Sequence, residues 1–281
     1  CVALLGACAT PAEPEGPPRK ETLLALTQDH QLIRFNAGQP GRILDRKPLL
    51  GLPTGDSLVG IDFRIARGVL YGLSRQGLLF SIDTASGRLT RVGSKPLALP
   101  LDGQVFGFDF NPAADRIRVV GGSFNLRLHP DTGEAVDGDP ATPGVQADAR
   151  LAYASDDMNA GREPDIVSAG YTYNKRDEKL TTNFALDRAR GTLVRQGSHE
   201  GVQPVVSPNS GRLTTIGSLG LGPMVDASFD IADVSNAAFA ALRLNATDPT
   251  QLYTIDLATG RATLIGTVGN GAALRGLAFE P

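Results

Sequence analysis

The 281-residue sequence contains no tryptophan and only two cysteines, and no apolar run in it approaches the roughly eighteen residues of a membrane-spanning helix. Each shortage narrows the function. Without tryptophan, and with aromatics at 6% of residues, a stacking platform for sugar rings, quinones or bases is poorly supplied. Lys and Arg number 27 against 30 Asp and Glu, so no basic field exists and a nucleic-acid partner is disfavoured. Cys1 and Cys8 both fall in the first eight residues, leaving the body free of cysteine and dependent on its core for stability. No G-x-S-x-G nucleophile elbow occurs. The three histidines, His30, His129 and His199, have no metal-ligand or acid–base spacing and fall in turn-like segments.

What the sequence does have is glycine (33) and proline (19), a composition of many turns and short elements. Its first twenty residues, CVALLGACATPAEPEGPPRK, run from apolar to small to Pro/Glu-rich. Leu5-Gly6-Ala7-Cys8 resembles a bacterial lipobox, which implies cleavage before Cys8 and acylation of its thiol. A plain secretory signal tail is the simpler alternative, with Cys8 incidental. Residues 1–7 are then a signal-peptide tail and residues 8–20 a lipidated N-terminus with a flexible tether. Ala9 after the cysteine favours the outer membrane.

Residues 21–281 carry an internal repeat. A short apolar strand with a polar third position recurs as Gly60-Ile-Asp62-Phe63, Gly107-Phe-Asp109-Phe110, Ser228-Phe-Asp230-Ile231 and Gly276-Leu-Ala278-Phe279. Leu151-Ala152-Tyr153 reads as a weaker copy, and the long interval after it as an insertion. Three further strand-like runs follow most copies, and none shows a sustained helical period. Segments FSIDTASGRLTRVGS (from Phe80) and YTIDLATGRATLIGT (from Tyr253) match position for position. They read as the hairpin between the third and fourth strands of a unit. Asp83 and Asp256 suit the first position of a turn, and Gly87 and Gly260 its left-handed position. Asp187-Arg-Ala-Arg-Gly191 repeats the form, and Asp131-Thr-Gly133 and Asn209-Ser-Gly211 read as shorter variants.

Four antiparallel strands in about 45 residues describe a β-propeller blade. The expected fold is therefore an all-β propeller. Five blades are expected, or six if the insertion between 155 and 215 splits into two. The N-terminal runs at 21–28, 31–36 and 42–46 supply three strands, and 274–280 a lone first strand. Their pairing would complete one blade and close the ring. A β-sandwich or an open repeat array would leave that pairing unmade.

From Leu23 onward the order LLALTQDHQLIRF, LVGIDFRIARGVLYGL, FGFDFNPAADRIRVV, NLRLHPDTG, LYTIDLATGRATLIG and LRGLAF resembles bacterial secreted and lipoprotein chains of domain of unknown function 4394. The resemblance implies an exported, propeller-like protein. It brings no active site to carry over, and the acidic loop near Ser155–Asp165 departs from it.

Candidate chemistry rests on two constellations. Asp62, Asp109 and Asp230 share one place in three first strands, which in a propeller line the axis, so they could hold a hard cation such as calcium. The plainer alternative is that each carboxylate bonds backbone N–H groups and fixes blade packing. Ala152 and Ala278 are expected at the two remaining places. Arg64, Arg116, Arg118 and Arg127 cluster by repeat and could receive an anionic ligand through bidentate contacts. Local pairing, as of Arg116 with Asp115 or Asp109, is the alternative. The Ser155–Asp165 loop lacks an EF-hand register and reads as solvated, and Gly217-Ser-Leu-Gly220-Leu-Gly222 as a turn.

The reading is an envelope lipoprotein, a propeller binding or scaffold module for a protein, peptide or glycan partner. Its membrane contact is the lipid alone, it binds no nucleic acid, and it is a monomer without a cofactor. It is secreted if Cys8 is not lipidated. A hydrolase or lactonase-type enzyme with a channel metal is the competing class.

Overall fold

The computed structural model describes residues 16–101, 103, 105–233 and 235–281, so Cys8 lies outside the described residues. The chain forms five sheets arranged as the blades of a propeller, antiparallel except for one short parallel pair in the fourth. Blade 1 contains β1 (Thr22–Thr27), β2 (Gln31–Asn36) and β3 (Gln39–Pro48). Blade 2 contains β4 (Leu58–Arg64), β5 (Val69–Ser74), β6 (Leu79–Ile82) and β7 (Leu89–Val92). Blade 3 has β8 (Gly107–Asn111), β9 (Arg116–Gly121) and β10 (Phe124–Leu128), with a single bridge from Leu128 to Ala135 where a fourth strand would lie. Blade 4 has β11 (Ala152–Tyr153), β12 (Gly170–Tyr171), β13 (Asn183–Asp187), β14 (Thr192–Gln196) and β15 (Arg212–Ser218). Blade 5 has β16 (Asp226–Ile231), β17 (Ala238–Arg243), β18 (Gln251–Ile255) and β19 (Ala262–Thr267).

The last strand, β20 (Leu274–Phe279), pairs with β1 in the register Leu23↔Phe279, Leu24↔Ala278 and Ala25↔Leu277. The C-terminal strand is therefore the innermost strand of blade 1, as the strand bookkeeping of the sequence anticipates. The ring has five blades, and the insertion builds one of them rather than two.

Burial explains why the inner strands do not alternate. Every residue of β4 is buried, because blades cover both its faces. The rim strand β3, with one face in water, alternates between partly covered and exposed from Leu44 to Pro48. The core is five separate apolar layers, one between each pair of neighbouring blades. Phe35 and Phe239 lie in the layer between blades 1 and 5, and Leu26 and Phe63 in that between blades 1 and 2. Tyr71 and Phe108 lie between blades 2 and 3, Val120 and Val194 between 3 and 4, and Leu186 and Phe229 between 4 and 5. Inner strands approach so closely that a Cβ on Gly107 would sit 2.4 Å from the Ser168 carbonyl carbon. Only glycine fits there.

The twin segments form the expected hairpins, β6–β7 and β18–β19. Asp83 Oδ1 accepts from the Ala85 N–H at 3.0 Å, and Asp256 Oδ1 from the Ala258 N–H at 2.8 Å. Gly87 and Gly260 take φ of 73° and 80°, which a side chain would strain.

Three local readings need correction. Ala152–Tyr153 is not an inner strand: it runs parallel to β15 at the rim of blade 4. The inner strand of that blade is β12, and the pattern Gly170-Tyr171-Thr172-Tyr173 aligns with Gly60-Ile61-Asp62-Phe63, so Thr172, not Ala152, occupies the aspartate position. The Asp187–Gly191 turn joins the second and third strands of blade 4, at the opposite face from the other copies. The turn at Gly133 is no shorter than its relatives, because the Gly133 N–H bonds the His129 carbonyl as Gly87 bonds that of Asp83; His129 stands in the aspartate place.

The loop at 155–165 is tied down rather than merely solvated. Asp157 accepts from the Thr215 N–H at 2.6 Å and from its hydroxyl at 2.9 Å. Asp165 pairs with Arg188 at 2.9 Å. Among the described residues no helix is long and apolar enough to cross a membrane.

Candidate functional site

The inner strands β4, β8 and β16 bring Asp62, Asp109 and Asp230 together on the axis. One carboxylate oxygen from each lies within 4.8 Å of the others, and all three side chains are buried. This is the one such cluster of metal-ligating types among the described residues, and no histidine joins it. Burial pushes the Asp62 and Asp109 carboxyls well above the usual carboxylate range, and the neighbouring acids push them further. Asp230 is raised to about 7, by burial first and then by the charge of Asp233. Asp233, just beyond β16, is raised by burial to about 6.

The same carboxylates knit neighbouring blades. Asp62 accepts from its following residue Phe63 at 2.7 Å and from Phe110 N–H of blade 3 at 2.7 Å. Asp109 accepts from Tyr171 N–H of blade 4 at 2.9 Å. Asp230 accepts from Ile231 at 2.6 Å and from Phe279 N–H of blade 1 at 2.8 Å. Five of the six oxygens therefore receive a backbone N–H. Thr172 does not reach blade 5; there Asn236, at φ 54°, reaches back instead, accepting from Tyr173 N–H at 2.8 Å and donating to its carbonyl at 2.9 Å. The arrangement can hold a shared proton, and it is the place where a cation would sit if one binds.

The two ends of the axis differ. Where the inner strands begin, around Gly60, Gly107, Ser168, Ser228 and Gly276, the described residues leave a pocket of about 10 Å³, room for one water at most. Where they end, a cavity of about 310 Å³ opens, lined by Ile65, Ala66, Phe110, Pro112 and Tyr173 with the charged groups Arg64, Asp115, Glu178 and Asp233. Arg64 is buried there and bonded to Asp115 and to Asp131, the latter at 2.6 Å.

The other three arginines of the sequence-level cluster do meet. Arg116, Arg118 and Arg127 line a cavity of about 170 Å³ on the same face, between blades 3 and 4, together with Tyr171, Ser207 and Asn209. Asn111 borders both cavities, so the β8–β9 turn is the wall between them. Arg64 belongs to the mouth and not to this group. Arg118 is 2% exposed, its Nη1 donating to Asp148 at 2.6 Å and its Nη2 to Asn209 Oδ1 at 2.6 Å. Arg127 forks onto the same Asp148, at 2.8 and 2.7 Å. Arg116 pairs with neither Asp115 nor Asp109 through a carboxylate; it donates to the Asp115 carbonyl at 2.8 Å.

Asp148 and Asp233 escape sequence reasoning because they stand outside the repeated strands and turns, whereas the sequence shows Asn209 only as a turn residue and hides Tyr171 with its strand. The one sequence signal for Tyr171 is that Gly170-Tyr171 copies the Gly-apolar start of the other inner strands.

Fold and axis together define a five-bladed β-propeller whose inner strands are cross-linked by buried carboxylates. The chain belongs to the family described as Domain of unknown function (DUF4394), whose model matches residues 31–278. No curated protein matches the sequence. Among solved structures the chain is similar to one from a nidogen/laminin complex, at 12% identity over 93% of this chain and 98% of that one, with a TM-score of 0.48. It is also similar to the glutaminyl cyclase of Myxococcus xanthus, at 13% identity over 83% and 90% with a TM-score of 0.46. A third similarity is to YCF48 from Cyanidioschyzon merolae, at 10% identity over 88% and 71% with a TM-score of 0.41.

Proposed function

We propose that this chain is a binding module of the bacterial envelope, without catalysis of its own, that recognises a protein, peptide or glycan at the face where its inner strands end. The observation that carries this reading is the asymmetry of the axis: about 310 Å³ at one mouth against about 10 Å³ at the other. The larger cavity combines an apolar lining with a few charged groups, which is the usual composition of a recognition site. The Leu5-Gly6-Ala7-Cys8 motif supports lipid attachment as the means of retention, and mass spectrometry of the mature N-terminus tests it.

Ala66 is exposed on the short turn that borders the mouth, so Ala66→Trp fills the cavity without disturbing the core. Crosslinking in solubilised envelope should capture a partner with the parent chain and lose it with this variant. Capture by both, or by neither, overturns the reading.

A second reading, a hydrolase or lactonase-type enzyme with a channel metal, has one observation in its favour: the convergence of Asp62, Asp109 and Asp230 within 4.8 Å. The backbone N–H groups on five of the six oxygens weigh against it, since each takes one of that oxygen's two lone pairs and draws off charge a cation would need.

A further inference from the structure

We infer that the cavity between blades 3 and 4 binds a small hydroxylated carboxylate, of the size and chemistry of a single sugar acid. The inference rests on the binding-module reading and names a ligand class for a second site on the same face.

Charge is the first argument. Arg116, Arg118 and Arg127 line the cavity, and the one carboxylate bonded to any of them is the buried Asp148, shared by Arg118 and Arg127. Three positive charges against one leave a surplus of two. Among the described residues no carboxylate lies within ion-pair distance of Arg116, whose guanidinium meets only the carbonyls of Ala114 and Asp115.

The second argument is an excess of donors. Arg118 Nε donates to the Tyr171 hydroxyl at 3.2 Å, so that oxygen acts as acceptor and its own hydrogen has no acceptor among the described residues, although Tyr171 is 2% exposed. Asn209 spends its carbonyl oxygen on Arg118, which leaves its amide N–H₂ without a described acceptor. Arg127 uses one edge on Asp148 and has Nη1 left over. Tyr171 is buried, so its unmet hydrogen is costly, and a planar oxyanion supplies an acceptor for it and for the part-exposed donors of Arg127 and Asn209.

Size and neighbours then narrow the oxyanion. A volume of about 170 Å³ is close to that of a cavity known to hold one benzene-sized ring, about 150 Å³, so one ring-sized molecule fits. Ser207 brings a hydroxyl, and Asn209 and Asn111 bring amide N–H₂ donors, their oxygens being engaged by Arg118 and by the Ala113 and Ala114 N–H groups; these complement hydroxyl groups on the ligand.

The test is titration of isotopically labelled protein with glucuronate, glucose and inorganic phosphate, followed by amide chemical shifts. Glucuronate should shift the Arg116 and Asn209 amides saturably, with weaker binding at raised salt. Arg116→Ala, which removes no carboxylate pair and should leave the melting curve unchanged, should weaken binding about tenfold. Glucose should leave these amides in place. Equal binding of glucose, equal binding of bare phosphate, a response indifferent to Arg116→Ala, or no saturable shift with glucuronate each overturns the inference. Ala66→Trp fills the mouth and leaves this cavity open. Lost partner capture in that variant, with no glucuronate response in the parent chain, would sink the sugar-acid site alone.

Discussion

The Asp62 carboxylate of blade 2 accepts the backbone N–H of Phe110 in blade 3 at 2.7 Å, with its other oxygen on Phe63. One side chain thus satisfies two buried donors on adjacent inner strands. Asp62→Ala leaves both unpaired, and each such loss is substantial. Relief of repulsion with Asp230 offsets part of it. The expected net loss is about 2 kcal/mol in chemical denaturation, with Asp62→Asn losing about half as much because its amide oxygen keeps one bond. An unchanged unfolding midpoint in Asp62→Ala would show that the blades do not depend on this link.

Stability should fall as pH rises from about 4 to about 7. Asp230 is raised to about 7 in the fold by burial and by Asp233, against about 3.9 in an unfolded chain. Between those values the folded state holds more protons, so raising the pH favours unfolding. Asp62 and Asp109 act in the same direction. The turn aspartates Asp83, Asp131 and Asp256 are shifted downward, by their hydrogen bonds to Ser86, Arg64 and Ala258 above all, so what they contribute is lost below this window. Melting temperatures across the range should trace a downward slope that Asp230→Asn flattens; an identical slope in the variant would remove Asp230 as its source.

Calcium distinguishes a shared proton from a bound cation on the axis. With five of six oxygens bonded to backbone N–H groups, added calcium at mildly alkaline pH should leave the melting temperature unmoved. A rise that saturates with calcium and vanishes in Asp109→Asn would establish a metal site instead.

Removal of Leu274–Pro281 takes away β20 and uncovers β1 in blade 1 and the inner face of blade 2. The expected outcome is loss of cooperative unfolding in calorimetry. A truncated chain that melts as sharply as the parent would mean that closure is not needed.

The ring was legible in the sequence because each blade must bury the next, which forces one strand pattern to recur. The three axial aspartates and the closing strand carry that periodic signal directly. Blade 4 breaks it: its inner strand begins at Gly170, after a rim strand and a bonded loop, and its third position is Thr172. Periodicity therefore pointed to Ala152, which has the right spacing and the wrong partner. The arginine cavity was half legible. Arg116, Arg118 and Arg127 sit in consecutive strands, and paired register places Arg118 opposite Arg127. Asp148 comes from irregular chain and Asn209 from the β14–β15 connection, so only the fold brings them in, and it also separates Arg64 from the group.

Because β1 runs antiparallel to β20, the chain enters the ring at Thr22 on the face that carries both cavities. The segment just before it stays there: Arg19 stacks over Phe239 at 5.6 Å, and the Ser235 hydroxyl donates to Glu21 at 3.3 Å. From Cys8 to Lys20 a fully extended chain spans at most roughly 40 Å. A lipid at Cys8 would therefore act as a short leash attached on the face that carries both cavities. The face with both cavities would then be held beside the bilayer rather than free in solution.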